Sequence, residues 1–266
     1  MTEPVRIAIH GAAGRMGRSL VELARQDARF ELVAALVAPG SALEGAPVGA
    51  PDLPRGLAYG TRLHDVGAQV LLDFSSAQGF DGALALCRAR RIALVSGSTG
   101  LSGAQHAALE AAAAEIPLLH AANFSLGISL LTRLLRVAAA ALPQWDIEIV
   151  EAHHARKLDA PSGTALALGG AAAVARGQRS DALMQQLGHA RVGPRKPGSI
   201  GFAVLRGGDV VGEHSAWLLG QGERIELTHR AGQRDIFARG ALAAAHWLAA
   251  RPPGRYALEQ VLGLGD

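Results

Sequence analysis

Apolar positions in the first half of the chain fall into short continuous runs, each followed by a stretch of helical period. VRIAIH (5–10) is a β-branched run that ends at a glycine, and Met16, Leu20 and Leu23 then share one helical face. FELVAALV (30–37) predicts a second strand. A Pro- and Gly-rich segment, 39–60, predicts an extended loop. VLLDF (70–74), a helix over 80–90, IALVSG (92–97), a helix over 102–114 and IPLLHAAN (116–123) continue the alternation. Continuous apolar strands separated by helices predict an α/β fold with a Rossmann-type, doubly wound parallel sheet.

The pattern changes after Asn123. A long apolar helix is predicted over 127–142, then the alternating strand DIEIVEAHH (146–154) and an Ala-rich helix from Ser162. A polar excursion over 177–199 follows. IGFAVLRGG, DVVGEHSAWLL and ERIELTHRA, with glycine-containing turns at 207–208 and 220–222, read as antiparallel strands. Phe237, Ala241, Ala244 and Leu248 then lie at helical spacing. The chain thus predicts a second, α+β domain with a mixed or antiparallel sheet.

Composition narrows the function classes. In 266 residues, 49% are hydrophobic and 18% charged, the balance of a globular chain with a substantial core. The net charge of +3 comes without a run of Lys and Arg interleaved with aromatics, so nucleic acid is not an expected partner. One cysteine, Cys87 in an apolar segment, excludes an intrachain disulfide and predicts a buried side chain in a reducing compartment. No signal-peptide layout opens the chain and no apolar run spans a membrane, so the expectation is a cytoplasmic protein.

Two stretches carry chemistry. GAAGRMG (11–17) follows the first strand directly and opens the first helix, as a dinucleotide fingerprint requires. Gly11 permits the tight turn, Gly17 permits close helix–strand packing, and the helix N-terminus offers N–H groups to a pyrophosphate. Ala13 replaces the usual middle glycine and Gly14 follows it. Where an acidic residue would hold the ribose hydroxyls, the chain has Val37 and Ala38. That absence, with Arg15 in the loop, leans toward NADPH over NADH. DFSS (73–76) and GSTG (97–100) end the third and fourth strands in the same crevice.

The second stretch is EAHHARKLDAPSGTAL (151–166), which sets two histidines and a lysine ahead of a helix start. It is built either for chemistry on an anionic substrate or as a solvated basic loop. Adjacent histidines rarely chelate one ion and no third ligand is suitably spaced, so no metal is expected. His10, His64, His106, His120, His189, His214, His229 and His246 are assigned structural roles, and RAGQR (230–234) a solvated helix start.

The motifs GAAGRMG, SGSTG, AANFSLG, EAHHARKLDAPSGTAL, RGGDVVGEH and GERIELTHRA, in this order and over residues 5–248, resemble the dihydrodipicolinate reductase (4-hydroxy-tetrahydrodipicolinate reductase) family of bacterial lysine and diaminopimelate biosynthesis. The resemblance implies a cytoplasmic homotetramer that reduces a cyclic, unsaturated dicarboxylate with NADH or NADPH. It implies a dinucleotide-binding domain at 1–124 and 235–266, and a substrate-binding and oligomerisation domain at 125–234. By motif, the backbone of Gly11, Ala12, Ala13, Gly14, Arg15 and Met16 would hold the cofactor. Gly97, Ser98 and Thr99, with Ala121, Ala122, Asn123 and Phe124, would border the nicotinamide. His153 would handle the proton, Lys157 would be a second proton donor, and His154, Gly163 and Thr164 would bind substrate. The chain departs from the family pattern at Val37 and Ala38, at Ser98 where threonine is usual, and at Ser76 where some members have arginine.

Physical chemistry agrees with this allocation. Consecutive residues on a strand face opposite ways, so His153 and His154 have different jobs. Ser162 can cap the helix, and Gly163 lets a ligand approach the first N–H groups, which with the Thr164 hydroxyl form a carboxylate cradle. A second carboxylate would meet Lys157, His154 or Arg234. Two alternatives stay open here: another two-domain NAD(P)-dependent dehydrogenase, and a nicotinamide-sensing regulator without turnover.

Overall fold

The computed structural model describes residues 3–49, 56–64, 67–178, 195 and 199–264. The chain divides into two compact units, Met1–Leu126 with Asp235–Asp266, and Gly127–Arg234.

In the first unit, β1 (Val5–His10), β2 (Phe30–Leu36), β3 (Tyr59–Gly60), β4 (Val70–Asp73), β5 (Ala93–Ser96), β6 (Pro117–His120) and β11 (Gly254–Tyr256) form one sheet. Its order is β11-β6-β5-β4-β1-β2-β3, and every pair is parallel. Strand order reverses between β1 and β4, the crevice where open α/β sheets bind ligands. Successive strand residues point to opposite faces, so each face has its own core. Ile7, Ile9, Val70, Leu72 and Val95 pack with α1 (Arg15–Gln26) and α6 (Asp235–Leu248). Ala8, Leu71, Leu94 and Leu118 pack with α2 (Ala77–Arg90) and α3 (Gly103–Ala112). Small residues on α6, among them Gly240, Ala241 and Ala244, let that helix lie close to its neighbours, α1 among them.

The extended loop expected over 39–60 ends in a short strand. Tyr59–Gly60 pairs with the end of β2, and Pro47 bridges Ala58. β11 and the one-turn helix α7 (Leu258–Val261) were not evident in the hydropathy pattern. β11 is three residues long and takes its ladder from β6.

The second unit holds most of α4 (Leu126–Ala141), with β7 (Asp146–His153), α5 (Gly163–Ala175), β8 (Ile200–Arg206), β9 (Gly212–Leu219) and β10 (Arg224–Ala231). The sheet order is β10-β9-β7-β8. One expectation needs correction: IGFAVLRGG is not part of an antiparallel run, because β8 lies parallel to β7. The connection from β7 contains a helix, which returns the chain to start β8 in the same direction. Residues 207–211 then lead to β9 on the far side of β7, and β9 and β10 are antiparallel as expected. The polar excursion over 177–199 falls almost wholly outside the described residues. Among the described residues, no helix is long and apolar enough to cross a membrane.

Candidate active site

In the first unit the glycine loop is shaped by backbone contacts. Gly11 has φ +78°, and a Cβ there would sit 2.6 Å from the Phe74 carbonyl oxygen. A Cβ on Gly17 would collide with the Gly11 carbonyl. The amides of Gly11 and Ala12 donate to the Leu36 carbonyl at 3.0 and 2.9 Å, and that of Gly14 donates to Gly11 at 2.9 Å. Gly14 is the N-cap of α1 and supplies no capping side chain, which leaves the first-turn amides to a ligand. This cradle fits a nicotinamide dinucleotide, because its closest positions exclude side chains and its open amides favour an anion. Arg15 is exposed beside it, and Val37 is buried at the end of β2.

The predicted nicotinamide border is organised by the first residue of DFSS. Asp73, at the end of β4, is fully buried. Its carboxylate accepts from Ser75 Oγ at 2.6 Å, Ser98 Oγ at 2.8 Å, His10 Nδ1 at 2.9 Å and Ser96 Oγ at 3.0 Å. Burial alone would raise its pKa, but the hydrogen bonds from His10, Ser75 and Ser98 outweigh it and hold the carboxyl below its usual range. The Ser98 carbonyl accepts from His120 Nε2 at 2.9 Å, so Ser98 is held at both ends. A serine thus keeps the hydroxyl contact where threonine is usual. Gly97 donates its amide to the Asp73 carbonyl at 2.9 Å. Thr99 and Ala122 are exposed, Ala121 and Asn123 are partly exposed, and Phe124 is buried with its ring 5.2 Å from that of Phe74. Asn123 Oδ1 accepts from the Ser125 amide at 2.8 Å. Ser76 caps α2.

In the second unit the alternation of β7 places Ile147, Ile149, Glu151 and His153 on the buried face. Glu151 Oε2 lies 2.6 Å from His153 Nδ1. Arg206, opposite His153 on β8, grips both carboxylate oxygens of Glu151 at 2.8 Å. The Ser162 amide adds a bond at 3.0 Å. Burial acts to raise the Glu151 pKa, but the bonds from Arg206, His153 and Ser162 prevail and keep it below the ordinary range.

Ser162 caps α5 by accepting from the Ala165 amide at 3.2 Å, and its Oγ lies 2.9 Å from His214 Nε2. Burial pushes the His214 pKa down to about 4, helped by His153, so this ring is neutral near pH 7. Its ring meets that of His153 edge-on at 5.1 Å. Gly163 is exposed, and a Cβ there would meet open space. Lys157 Nζ is bonded to both oxygens of Asp159 at 2.8 Å. His154 lies just past the end of β7, and its Nε2 lies 3.5 Å from Arg234 Nη2. RAGQR is exposed or partly exposed throughout, as expected of a solvated helix start. Burial, then the charges of Arg156 and Arg234, lower the His154 pKa. No group of three or more His, Cys, Asp or Glu among the described residues is arranged to hold a metal.

Sequence reasoning missed Glu151, Arg206, the His214–Ser162 contact and the bonds that Asp73 gathers within the predicted DFSS turn. Only Glu151 was within reach, since two residues of strand separation from His153 puts both side chains on one face. The others depend on strand pairing across long intervals of sequence.

The family model for the N-terminus of dihydrodipicolinate reductase matches residues 5–124, and that for its C-terminus matches residues 127–262. A 4-hydroxy-tetrahydrodipicolinate reductase of Alkalilimnicola ehrlichii is 50% identical over 97% of this chain and 99% of its own length. One from Thiobacillus denitrificans is 46% identical over 98% of this chain and 99% of its own. A dipicolinate-bound dihydrodipicolinate reductase from Paenisporosarcina sp. TG-14 shares the fold, with a TM-score of 0.76 at 23% identity over 96% of this chain and 97% of that one. The chain belongs to the dihydrodipicolinate reductase family of NAD(P)H-dependent oxidoreductases.

Proposed function

We propose that the protein reduces 4-hydroxy-tetrahydrodipicolinate to tetrahydrodipicolinate in lysine and diaminopimelate biosynthesis. One observation carries the assignment of roles. Within residues 151–164, a histidine ring held by a buried carboxylate stands on the strand that leads to a capped helix start, with a lysine in the connection. The dihydronicotinamide, when bound, supplies a hydride. Loss of the 4-hydroxyl as water makes the ring a conjugated imine; the hydride added to it leaves an electron-rich enamine that must take up a proton, and His153 supplies it as general acid. Lys157 is the second donor and offsets substrate charge.

One substrate carboxylate sits at the N-terminus of α5, on the amides of Gly163 and Thr164 with the Thr164 hydroxyl and Ser162 beside them. Charge-assisted hydrogen bonds of that kind contribute about 1.5–3 kcal/mol each. His154 and Arg234, whose side-chain nitrogens lie 3.5 Å apart beyond β7, meet the second carboxylate. The substrate displaces Lys157 from Asp159, or shares it.

The cofactor is held by Gly11, Ala12, Ala13, Gly14, Arg15 and Met16. Gly97, Ser98, Thr99, Ala121, Ala122, Asn123 and Phe124 border its nicotinamide. These residues lie in the first unit and the substrate residues in the second, which assigns 1–124 with 235–266 to the dinucleotide and 125–234 to substrate and assembly. The absence of a carboxylate at Val37 and Ala38, with exposed Arg15, favours NADPH over NADH. The protein works in the cytoplasm, and fully buried Cys87 is consistent with a purely structural thiol. It assembles as a homotetramer through the sheet face opposite α5, where Val150, Trp217 and the 59%-exposed Leu205 share one side. A nicotinamide sensor without turnover would have no use for the His153–Glu151 pair.

The test follows oxidation of NADH and NADPH with substrate generated in situ from pyruvate and aspartate semialdehyde. Turnover with both, and a lower KM for NADPH, is expected. No oxidation of either overturns the activity. Light scattering checks the tetramer, which Leu205→Glu should dissociate.

A further inference from the structure

A histidine ring has two nitrogens, and proton delivery uses one. We propose that Glu151 and Gly212 are positioning residues for His153: the Glu151 carboxylate takes the Nδ1–H, and the missing side chain at Gly212 leaves Nε2 clear to exchange a proton with substrate. The proposal rests on His153 being the proton donor.

Four donors converge on Glu151. Arg206 Nη1 and His153 Nδ1 share Oε2, while Arg206 Nη2 and the Ser162 amide share Oε1. Guanidinium and amide groups can only donate, so the carboxylate spends its lone pairs on them as an acceptor. An ionised carboxylate has no proton to give. His153 Nδ1 must therefore be the donor in the 2.6 Å contact, which leaves Nε2 as the nitrogen that gains and loses a proton. Arg206 also fixes the carboxylate in place. Its Nη2 donates to the Asp159 carbonyl at 2.8 Å, which ties Glu151 to the loop bearing Lys157.

Gly212 explains the other nitrogen. It opens β9 opposite Ala231, is buried, and has no left-handed φ, so the backbone does not demand glycine. A Cβ built there lies 3.0 Å from His153 Nε2 and 3.3 Å from Cδ2. The space, rather than the turn, is what glycine provides. The edge of His214, a ring centroid 5.1 Å away, borders His153 on another side.

Glutamine at 151 cannot reproduce this arrangement. Its amide presents N–H to one of the two oxygen sites, where it opposes either the Ser162 amide and Arg206 or His153 and Arg206. Loss of the correct histidine tautomer has cost about 10⁴ in turnover in a serine-protease triad. A fall in kcat of at least about 10²-fold, with KM for substrate changed by only about threefold or less, is expected for Glu151→Gln.

The experiment uses the full chain labelled with ¹⁵N-histidine, and long-range ¹H–¹⁵N spectra recorded at alkaline pH, where imidazoles are neutral. His153 is identified by the signals lost in His153→Gln. The wild-type ring is expected to be protonated at Nδ1 and bare at Nε2. Glu151→Gln should lose that signature together with turnover. Gly212→Ala should keep the Nδ1–H signature and still lose at least about tenfold in kcat, as a crowded proton donor would. A wild-type ring protonated at Nε2 overturns the proposal. So does a Glu151→Gln ring with an unchanged Nδ1–H signature, or a Gly212→Ala enzyme at wild-type turnover. Should Glu151→Gln not fold, the wild-type tautomer and Gly212→Ala still decide. Wild-type turnover in His153→Gln would instead remove His153 as proton donor, a failure that the ring spectra distinguish from loss of the Glu151 contact.

Discussion

The two units each bury one carboxylate at the carboxyl end of a strand, and the two are neutralised differently. Asp73 is surrounded by three serine hydroxyls and one histidine, with no permanently charged donor among these bonds. Glu151 is matched by the permanent charge of Arg206 as well as by His153 and a backbone amide. Hydroxyls can rotate to other acceptors when a partner changes, whereas a guanidinium cannot give up its proton. Asp73 therefore organises turns around it, and Glu151 holds a charge arrangement that fails if one member is lost.

The largest effect expected is on chemistry. His153→Gln should lower kcat by about 10²–10⁴-fold with little change in cofactor KM, measured by steady-state NADPH oxidation. Retained turnover would mean that the second unit's network is only structural.

Stability separates the carboxylates next. Glu151→Ala strands partly exposed Arg206 along with the buried Ser162 amide, and should cost about 3 kcal/mol, the low end for a broken buried pair. Asp73→Ala should cost about 1–3 kcal/mol, because its hydroxyl donors can find other partners. Urea unfolding measures both, and equal losses would erase the distinction.

Acid should act on the second unit through His214. Its pKa is depressed in the folded chain from an ordinary 6.5 to about 4. Between those values the unfolded chain binds a proton that the folded chain refuses, so stability is full above pH 6.5 and is lost as pH falls toward 4. A shift of that size corresponds to at most about 3–4 kcal/mol. His214→Gln should flatten the slope of urea stability over this window. The depressed Asp73 and Glu151 carboxyls follow the same sign at lower pH: their contribution is present above the ordinary carboxylate range and is lost as pH falls through the folded values.

Two smaller effects sharpen the contrast. Ser98→Ala removes one hydroxyl from Asp73 and should cost about 1 kcal/mol, with a severalfold rise in cofactor KM if that turn borders the nicotinamide. Asp159→Asn releases Lys157 from an exposed pair, for which a change of about 0.2–1 kcal/mol is typical. Substrate KM should fall by up to about fivefold, and a rise would show that Asp159 helps to hold Lys157 in place.

Much of this protein is determined by local pattern. The alternation of apolar strands and helices, the glycine loop opening α1, and Ser162 as the cap of α5 all follow from interactions a few residues long. The shared buried face of Ile147, Ile149, Glu151 and His153 follows from the two-residue period of a strand. Tertiary structure alone decided which groups those side chains meet. Arg206 and His214 are 53 and 61 positions beyond His153, and they reach its surroundings because β8 and β9 flank β7. The parallel direction of β8 was decided in the same way, by the crossover through α5. Asp73 gathers His10, Ser96 and Ser98 because β1 and β5 are its neighbours in the sheet. Local periodicity specifies which face a residue occupies, while the partners on that face are set by strand order, which long-range packing selects.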